Sequence, residues 1–459
     1  MPKEAASFNE QLVGRCFAKH FSSMVALEEL YSIFRQHPSV CTDTRQLTPG
    51  CLFFALKGES FDGNRFAVKA LEAGAAYAVV DDPALQETRQ CLLVNDVLTT
   101  LQQLATLHRR QFDIPLIAIG GSNGKTTTKE LVSAVLSSHY PCHSTKGNLN
   151  NQIGVPLTLL GMPDNTEVAV IEMGTNQPGD IDLLSEIARP THGLLTNIGK
   201  EHLEGFGNLQ GVKKAEAELY RYLSRHHGCV FVNSAEKYLS AMARSNRTKI
   251  VYSATDTLHA QDSIIDIRLD AETPFIRVSF LSENNEPVEV QSQLIGRHNF
   301  HNIMTAVALG VYFKVPATKI KSALEAYQPA NNRSQLLQRG SNTILLDAYN
   351  ANPASMRAAL ETIRSIKVLH KVAIIGDMLE LGEASRTEHE QILRFAARCK
   401  FDHLAVVGPE FGGCEPWRYK ALHFPDALAA KEWLENQTFE DTFILVKASR
   451  GIQLERVVG

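Results

Sequence analysis

Several features that would classify a chain at once are missing here. No apolar run reaches the ~18 residues that a membrane-crossing helix needs, so no membrane span is expected. The opening MPKEAASFNEQLVGRCF has no basic start followed by an apolar stretch, so a secretory signal is not expected. There is no basic tract, and the formal net charge is -4, which argues against a dedicated nucleic-acid binder. The eight cysteines, Cys16, Cys41, Cys51, Cys91, Cys142, Cys229, Cys399 and Cys414, include no CxxC pair. Scattered in this way they read as reduced thiols, neither a disulfide frame nor a zinc site. Internal repeats and low-complexity segments are absent too. A cytoplasmic protein is the expectation that remains. What is present is ordinary for a globular protein: 44% hydrophobic and 21% charged residues. With 459 residues the chain is too long for one core, and two to four domains of roughly 150 residues are expected.

Short apolar strands alternate with helical patterns along most of the chain. CLFFAL (51–56) and AYAVV (76–80) read as strands around a helical stretch, and a helix is predicted near 97–110. IPLIAIG (114–120), VAVIEMG (168–174), HGLLTNIG (192–199) and CVFVN (229–233) each lead into a loop and a helix, the pattern of a parallel sheet covered on both faces. In 249–295 the segments KIVYSA, SIIDIRL, FIRVSFL and VEVQSQLI follow one another without helices, which predicts an antiparallel patch. A helix near 300–313 and a linker around Pro329 come next. TILLD (343–347), KVAIIGD (371–377), HLAVVG (403–408) and TFILVKAS (442–449) then predict a second α/β unit. The expected division is 1–23 as a possible extension, then domains at 24–110, 111–328 and 329–459.

The strongest chemical signal is IAIGGSNGKTTTKE (117–130), where an apolar strand ends in a glycine-rich turn and opens a helix. Gly121, Ser122, Asn123 and Gly124 are small enough for backbone N–H groups to close around phosphate oxygens, and the helix N-terminus favours the anion. Lys125 can reach the outer phosphates, and Thr126, followed by Thr127, can offer a hydroxyl to Mg²⁺. The segment departs from the full GxxxxGK[ST] pattern, because Ile119 stands where its first glycine would be. Glu172 ends an otherwise apolar strand, so its carboxylate belongs either at the sheet rim, holding a hard cation, or in water. TNIGKEHLEGFG (196–207) offers Thr196, Asn197 and His202 after another strand, as metal or phosphate contacts or as plain surface residues. Asn299 and Asn302, three apart at a helix start, can face one ligand or simply cap the helix. Asp347 precedes a turn, YNANPASM, that also reads as an ordinary turn and helix start.

In this order the segments resemble the Mur ligases, ATP-dependent enzymes that build the peptide stem of bacterial cell-wall precursors. GGSNGKTTTKE, KGNLNNQIGVPLTLL, VIEMGTNQPGDI, TNIGKEHLEGFG, GRHNFHNIMTA, LLDAYNANPASM, IIGDMLELG and VKASRG are each similar to successive family motifs, and the likeness runs from about residue 24 onward. TDTRQLTPGCLFFALKGESFDGNRFA (42–67) and DAYNANPASM resemble the branch that adds D-alanyl-D-alanine to a UDP-N-acetylmuramoyl tripeptide. The resemblance implies a three-domain α/β fold with a central P-loop-type parallel sheet and a C-terminal Rossmann-like domain. It also implies ATP and Mg²⁺ as cofactors and an acyl-phosphate route in peptidoglycan precursor synthesis, with a monomeric enzyme that binds no nucleic acid.

By the same resemblance Lys125 and Thr126 would hold the ATP phosphates and Mg²⁺, with Glu172 and His202 as metal ligands. Asn299 and Asn302 would lie at the nucleotide, and Arg333 and Asp347 would reach it from the third domain. Thr42, Asp43, Thr44, Arg45, Lys57, Gly58 and Asp62 would bind the UDP-sugar. Asn148, Asn151, Asn350 and Asn352 would lie near substrate. The family usually carries a carbamylated lysine in the helix after the His202 loop. Alignment puts Glu216 there, supplying a carboxylate directly, and a small helix offset would bring Lys214 instead. Two other readings remain open: a relative of the folylpolyglutamate synthases, and a catalytically silent nucleotide-binding protein.

Overall fold

The computed structural model describes residues 24–259 and 264–459; the expected extension at 1–23, with Cys16, lies outside the described residues. The chain divides into two compact units. The first gathers the described residues up to Asp113 with Gln152–Pro163 and Glu186–Arg189, and the second holds the remainder.

In the first unit, β1 (Val40–Cys41), β2 (Leu52–Phe54), the hairpin of β3 (Lys57–Gly58) with β4 (Phe61–Asp62), β5 (Tyr77–Val80) and β6 (Cys91–Leu93) follow in chain order. Strands β1, β2, β5 and β6 pair side by side in that order, all parallel. Every residue of β2 is buried, as expected for a parallel strand covered on both faces. The helix Val97–Arg109 starts where Asp96 caps it, its side chain accepting the Thr99 N–H at 2.7 Å.

The second unit contains two sheets. The larger has nine strands: β7 (Leu116–Gly120), β8 (Cys142–Ser144), β9 (Val168–Glu172), β10 (His192–Leu195), β11 (Cys229–Asn233), β12 (Thr248–Ala254), β13 (Ile264–Ala271), β14 (Arg277–Leu281) and β15 (Pro287–Gln291). Their order is β15-β14-β13-β12-β11-β10-β7-β9-β8. The predicted antiparallel patch is narrower than the sequence suggested, and it continues the central sheet. KIVYSA and IIDIRLDA run parallel to one another and to β11, and only the β13–β14 and β14–β15 pairings are antiparallel. The second of these reversals is made by a tight turn. Ser282 to Glu286 closes β14 onto β15, with Asn285 at φ 61° and its N–H on the Ser282 carbonyl. Strands β12 and β13 pair parallel instead, although the sequence shows no helical pattern between them.

The smaller sheet comprises β16 (Gln335–Arg339), β17 (Asn342–Asp347), β18 (His370–Gly376), β19 (His403–Val407), β20 (Leu422–Phe424) and β21 (Thr442–Lys447), ordered β16-β17-β21-β18-β19-β20. All pairs are parallel except the β16–β17 hairpin. Separate apolar cores cover its two faces, one around Met356, Leu360 and Ile363 and the other around Ala430, Leu434 and Leu454. The short strands β8, β16 and β20 were not foreseen, because three to five residues give little periodicity. Among the described residues no helix is long and apolar enough to cross a membrane, and seven cysteines are free thiols.

Candidate active site

The chemistry-bearing segments meet at the C-terminal edge of the nine-stranded sheet. Strand β7 lies between β9 and β10, with Ile119 beside Glu172 and Gly120 beside Leu195. The turn that follows β7 is therefore flanked by the ends of both neighbours. Gly121 sits at φ 108°, and a Cβ there would run into the Thr196 hydroxyl. Gly124 sits at φ 79°, where a Cβ would lie 2.7 Å from Asn302 Oδ1. The helix Lys125–Ser137 then opens with no side-chain cap, leaving its first amides to an anion. The turn is laced to the loop after β10. Ser122 N–H donates to the Asn197 carbonyl at 2.9 Å, and Asn197 clasps Asn123 through both its amide oxygen and its amide nitrogen. Ser122 Oγ accepts the Gly199 N–H at 2.8 Å.

Lys125 is folded back on this turn. Its ammonium donates to the Gly121 carbonyl and, at 3.4 Å, to that of Ser122. Burial opposes its charge, but Glu201, Glu216 and Glu172 outweigh that and hold the lysine above its ordinary pKa. Thr126 Oγ1 donates to Glu172 Oε1 at 3.1 Å, and the same oxygen accepts from Asn150 Nδ2 at 2.7 Å. Glu216 comes from the helix Leu209–Arg225; its Oε2 accepts the Gly121 N–H at 2.8 Å, and burial pushes its carboxyl up to about 8. One oxygen each of Glu172, Glu201 and Glu216 is buried with no hydrogen-bond partner. Such orphaned carboxylate oxygens are costly unless a cation or a proton meets them.

The helix Arg297–Tyr312 packs against the phosphate-loop helix. Asn302 Oδ1 accepts the Thr128 hydroxyl at 3.1 Å, and its Nδ2 donates to Asn299 Oδ1 at 2.9 Å. Both asparagines are buried, and neither caps the helix, whose N-cap is Gly296. From the smaller sheet, Asp347 meets Lys447 Nζ at 2.6 Å and accepts the Ser334 N–H at 3.2 Å. Burial resists its ionisation, yet Lys447, helped by His298, holds it below the usual carboxylate range. Arg333 stacks on Tyr349, its guanidinium carbon 3.5 Å from the ring centre. Asn352 caps the helix Pro353–Ser365 in a capping box and also donates to Asn123 Oδ1 at 2.7 Å, tying the smaller sheet to the phosphate loop.

Three family models match the chain: "Mur ligase family, catalytic domain" at 38–109, "Mur ligase middle domain" at 119–310, and "Mur ligase, glutamate ligase domain" at 332–450. The chain belongs to the Mur ligase family. It is similar to the UDP-N-acetylmuramoyl-tripeptide–D-alanyl-D-alanine ligase of Bacillus subtilis, 35% identical over 91% of this chain and 92% of that protein. The enzyme of the same name from Escherichia coli is 34% identical, with 92% of each chain covered. Among solved structures it resembles MurF from Acinetobacter baumannii, with TM-score 0.80, 30% identity and 92% of each chain covered.

In this Mur ligase the structure gathers Gly121 to Thr126, Glu172, Glu216, Asn299, Asn302 and Asn352 in one network. It does not bring His202 to the carboxylates. His202 Nδ1 lies 2.6 Å from Glu380, on the side of the smaller sheet, and His202 itself takes a left-handed backbone at φ 42°. Among the described residues no three His, Cys, Asp or Glu side chains gather as a metal-holding group. What does fit a hard cation is Thr126 with Glu172, a hydroxyl and a carboxylate with one oxygen to spare; Mg²⁺ usually takes one or two protein oxygens and fills its shell from water and phosphate. Lys214 is exposed whereas Glu216 is buried, so the helix offset that would turn Lys214 inward is not present. Thr127 is half-buried beside Thr126, and Asn148 and Asn151 are exposed in the loop whose Asn150 reaches Glu172.

In the first unit Asp43 caps the turn Thr44–Gln46 and pairs with the exposed Arg45 at 2.7 Å, which holds the Asp43 carboxyl at about 2. Thr42 is half-buried and Gly58 exposed. Lys57 pairs with Asp81 at 2.8 Å, and Asn64 bridges Asp62 to Asp81. Asn350 Oδ1 accepts the N–H of Ala351. The sequence reading passed over Asn64, Asp81, Asn150, Glu201 and Lys447. All but Asp81 lie inside motifs that the sequence offers, but nothing in the motifs singles out Asn64, Asn150, Glu201 or Lys447, whose partners Asp81, Glu172, Lys125 and Asp347 are set by the fold.

Proposed function

We propose that this Mur ligase uses ATP to join D-alanyl-D-alanine to a UDP-N-acetylmuramoyl tripeptide in peptidoglycan precursor synthesis, as its relatives are named to do. The observation that carries this reading is the phosphate loop, in which Lys125, Thr126 and Glu172 are held ready at the sheet edge. A carboxylate oxygen of the tripeptide attacks the γ-phosphorus of ATP, the bond to ADP breaks, and an acyl phosphate forms. The free amine of the dipeptide then attacks the acyl carbon, loses a proton, and expels phosphate. Activation is needed because a carboxylate is a poor electrophile with a poor leaving group.

The roles follow from position. The first amides of the helix Lys125–Ser137 and the Lys125 ammonium bind phosphate oxygens and spread the charge of the transferring group. Thr126 and Glu172 would hold Mg²⁺, which supplies charge neutralisation to the phosphates. Glu216 keeps the Gly121 amide in place and is the residue we assign to the position of the family's carbamylated lysine. Asn299 and Asn302 brace the loop from below, and Arg333, Asp347, Asn350 and Asn352 serve the nucleotide and acceptor from the C-terminal side. Thr42, Asp43, Thr44, Arg45, Lys57, Gly58 and Asp62 are assigned to the UDP-sugar, on a three-part division at 24–110, 111–328 and 329–459. The setting is the cytoplasm and the enzyme a monomer, with the product feeding the cell wall that sets cell shape and division.

A tripeptide labelled with heavy oxygen in its terminal carboxylate tests the route. One labelled oxygen should appear in the released phosphate. Retention of all the label in the peptide would rule out the acyl phosphate.

A further inference from the structure

The loop after β10 carries a carboxylate that its motif does not announce. Glu201 is 5% exposed, its Oε2 lies 3.6 Å from Lys125 Nζ, and its Oε1 is buried with no partner. The remaining contacts of the ammonium are the carbonyls of Gly121 and Ser122. The cation that phosphate oxygens would claim is therefore already surrounded by acceptors of the protein itself. The pair is charge against charge at a distance longer than a good hydrogen bond, an attraction that a phosphate oxygen at closer range can replace.

We propose that Glu201 is a resident counter-ion of Lys125, a positioning residue that holds the lysine in the loop and that the terminal phosphate of the nucleotide must displace. The inference rests on the nucleotide-site reading above. Its physical content is competition. Until the exchange, Glu201 neutralises Lys125 and keeps a buried ammonium from standing alone. During the exchange its negative charge faces the incoming phosphates across a short, water-poor gap, where like charges repel strongly. The burden is greatest for the ligand whose terminal phosphate reaches Lys125. A triphosphate should thus feel the loss of Glu201 more than a diphosphate does.

Glu201→Gln keeps the shape and removes the charge, whereas Glu201→Asp keeps the charge on a shorter stem. The measurement is the equilibrium affinity of the full chain for a non-hydrolysable ATP analogue and for ADP, without and with Mg²⁺, alongside thermal unfolding. Without Mg²⁺, Glu201→Gln should bind the analogue about tenfold more tightly than wild type, with a smaller gain for ADP and Glu201→Asp close to wild type. Unchanged affinity for both nucleotides in Glu201→Gln, with wild type binding normally, would overturn this inference alone. Weakening only in the presence of Mg²⁺ would overturn it too, by making Glu201 a cation ligand. A wild-type chain that binds neither nucleotide would overturn both this inference and the site reading beneath it.

Discussion

The proposed activity turns on Lys125 and the carboxylates around it. On the proposed mechanism Lys125→Ala removes the charge that meets the transferring phosphoryl group, and its turnover should drop by about three orders of magnitude in an ADP-release assay while the fold persists. Glu216 has a second duty, because its Oε2 satisfies a buried backbone amide. Glu216→Ala would strand the Gly121 N–H, and chemical denaturation should show a loss of about 1–3 kcal/mol. At this scale the sequence was readable where a residue type and its neighbours carry the signal. GGSNGKTTTKE marked the glycine-rich turn, and a carboxylate ending an apolar strand marked Glu172, which the structure places beside Thr126. It was unreadable where the partner comes from far away, as for Glu201 on Lys125 or Asn64 on Asp81. His202, whose place after a strand suggested a metal or phosphate contact, lies 2.6 Å from Glu380.

The elements that position these residues were legible by period, and their pairing less so. Strands β7, β9 and β10 stand out as apolar runs leading into helices, and their parallel register follows. The direction of β13 depended on a connection rather than on a pattern, and there the reading failed. Strand β10 also carries a test of the core beneath it. His192 at its start is packed against Phe231, Tyr312 and Phe313, bonded to Thr191 Oγ1 at 2.8 Å and near the Tyr312 hydroxyl at 3.3 Å. Burial pushes its imidazole down to about 4 from an ordinary 6.5. The unfolded chain therefore takes up this proton at a higher pH than the folded one. The contribution of His192 to stability is complete above about pH 6.5 and is lost as the pH falls toward 4, with about 2 kcal/mol of it gone by about pH 5. Urea unfolding at these pH values should show that loss in wild type. His192→Gln should make the slope shallower by that amount, leaving the shares of His298, which burial also pushes to about 4, and of His301, which burial also lowers.

Across the second unit, one strip of chain joins the nucleotide machinery to the smaller sheet. The loop after β10 holds the phosphate turn through Asn197 and Gly199, then pairs Lys200 with Glu388 at 2.6 Å and His202 with Glu380. Asn352 adds a direct bond to Asn123. Such ties join the smaller sheet to the glycine-rich turn, and the proposed reach of Arg333 and Asp347 toward the nucleotide depends on them. Asn352 allows its two functions to be separated. Asn352→Ala should cost about 1 kcal/mol through the lost cap and raise the KM for ATP several-fold. Asn352→Ser should restore the cap and the stability, since serine caps well, but its short side chain should leave the KM raised. If both variants bound ATP as wild type does, the bond to Asn123 would be structural only.

The three-part α/β organisation was readable from segment order, because each part repeats a strand–helix rhythm. The ties between parts were not, since they join single side chains across long stretches of sequence. The most direct test of the whole account is phosphate release from ATP and Mg²⁺, with the UDP-N-acetylmuramoyl tripeptide and D-alanyl-D-alanine each omitted in turn. Release that requires both, with a new amide product seen by mass, is the predicted result; no release with both present, or release that ignores the dipeptide, would contradict it.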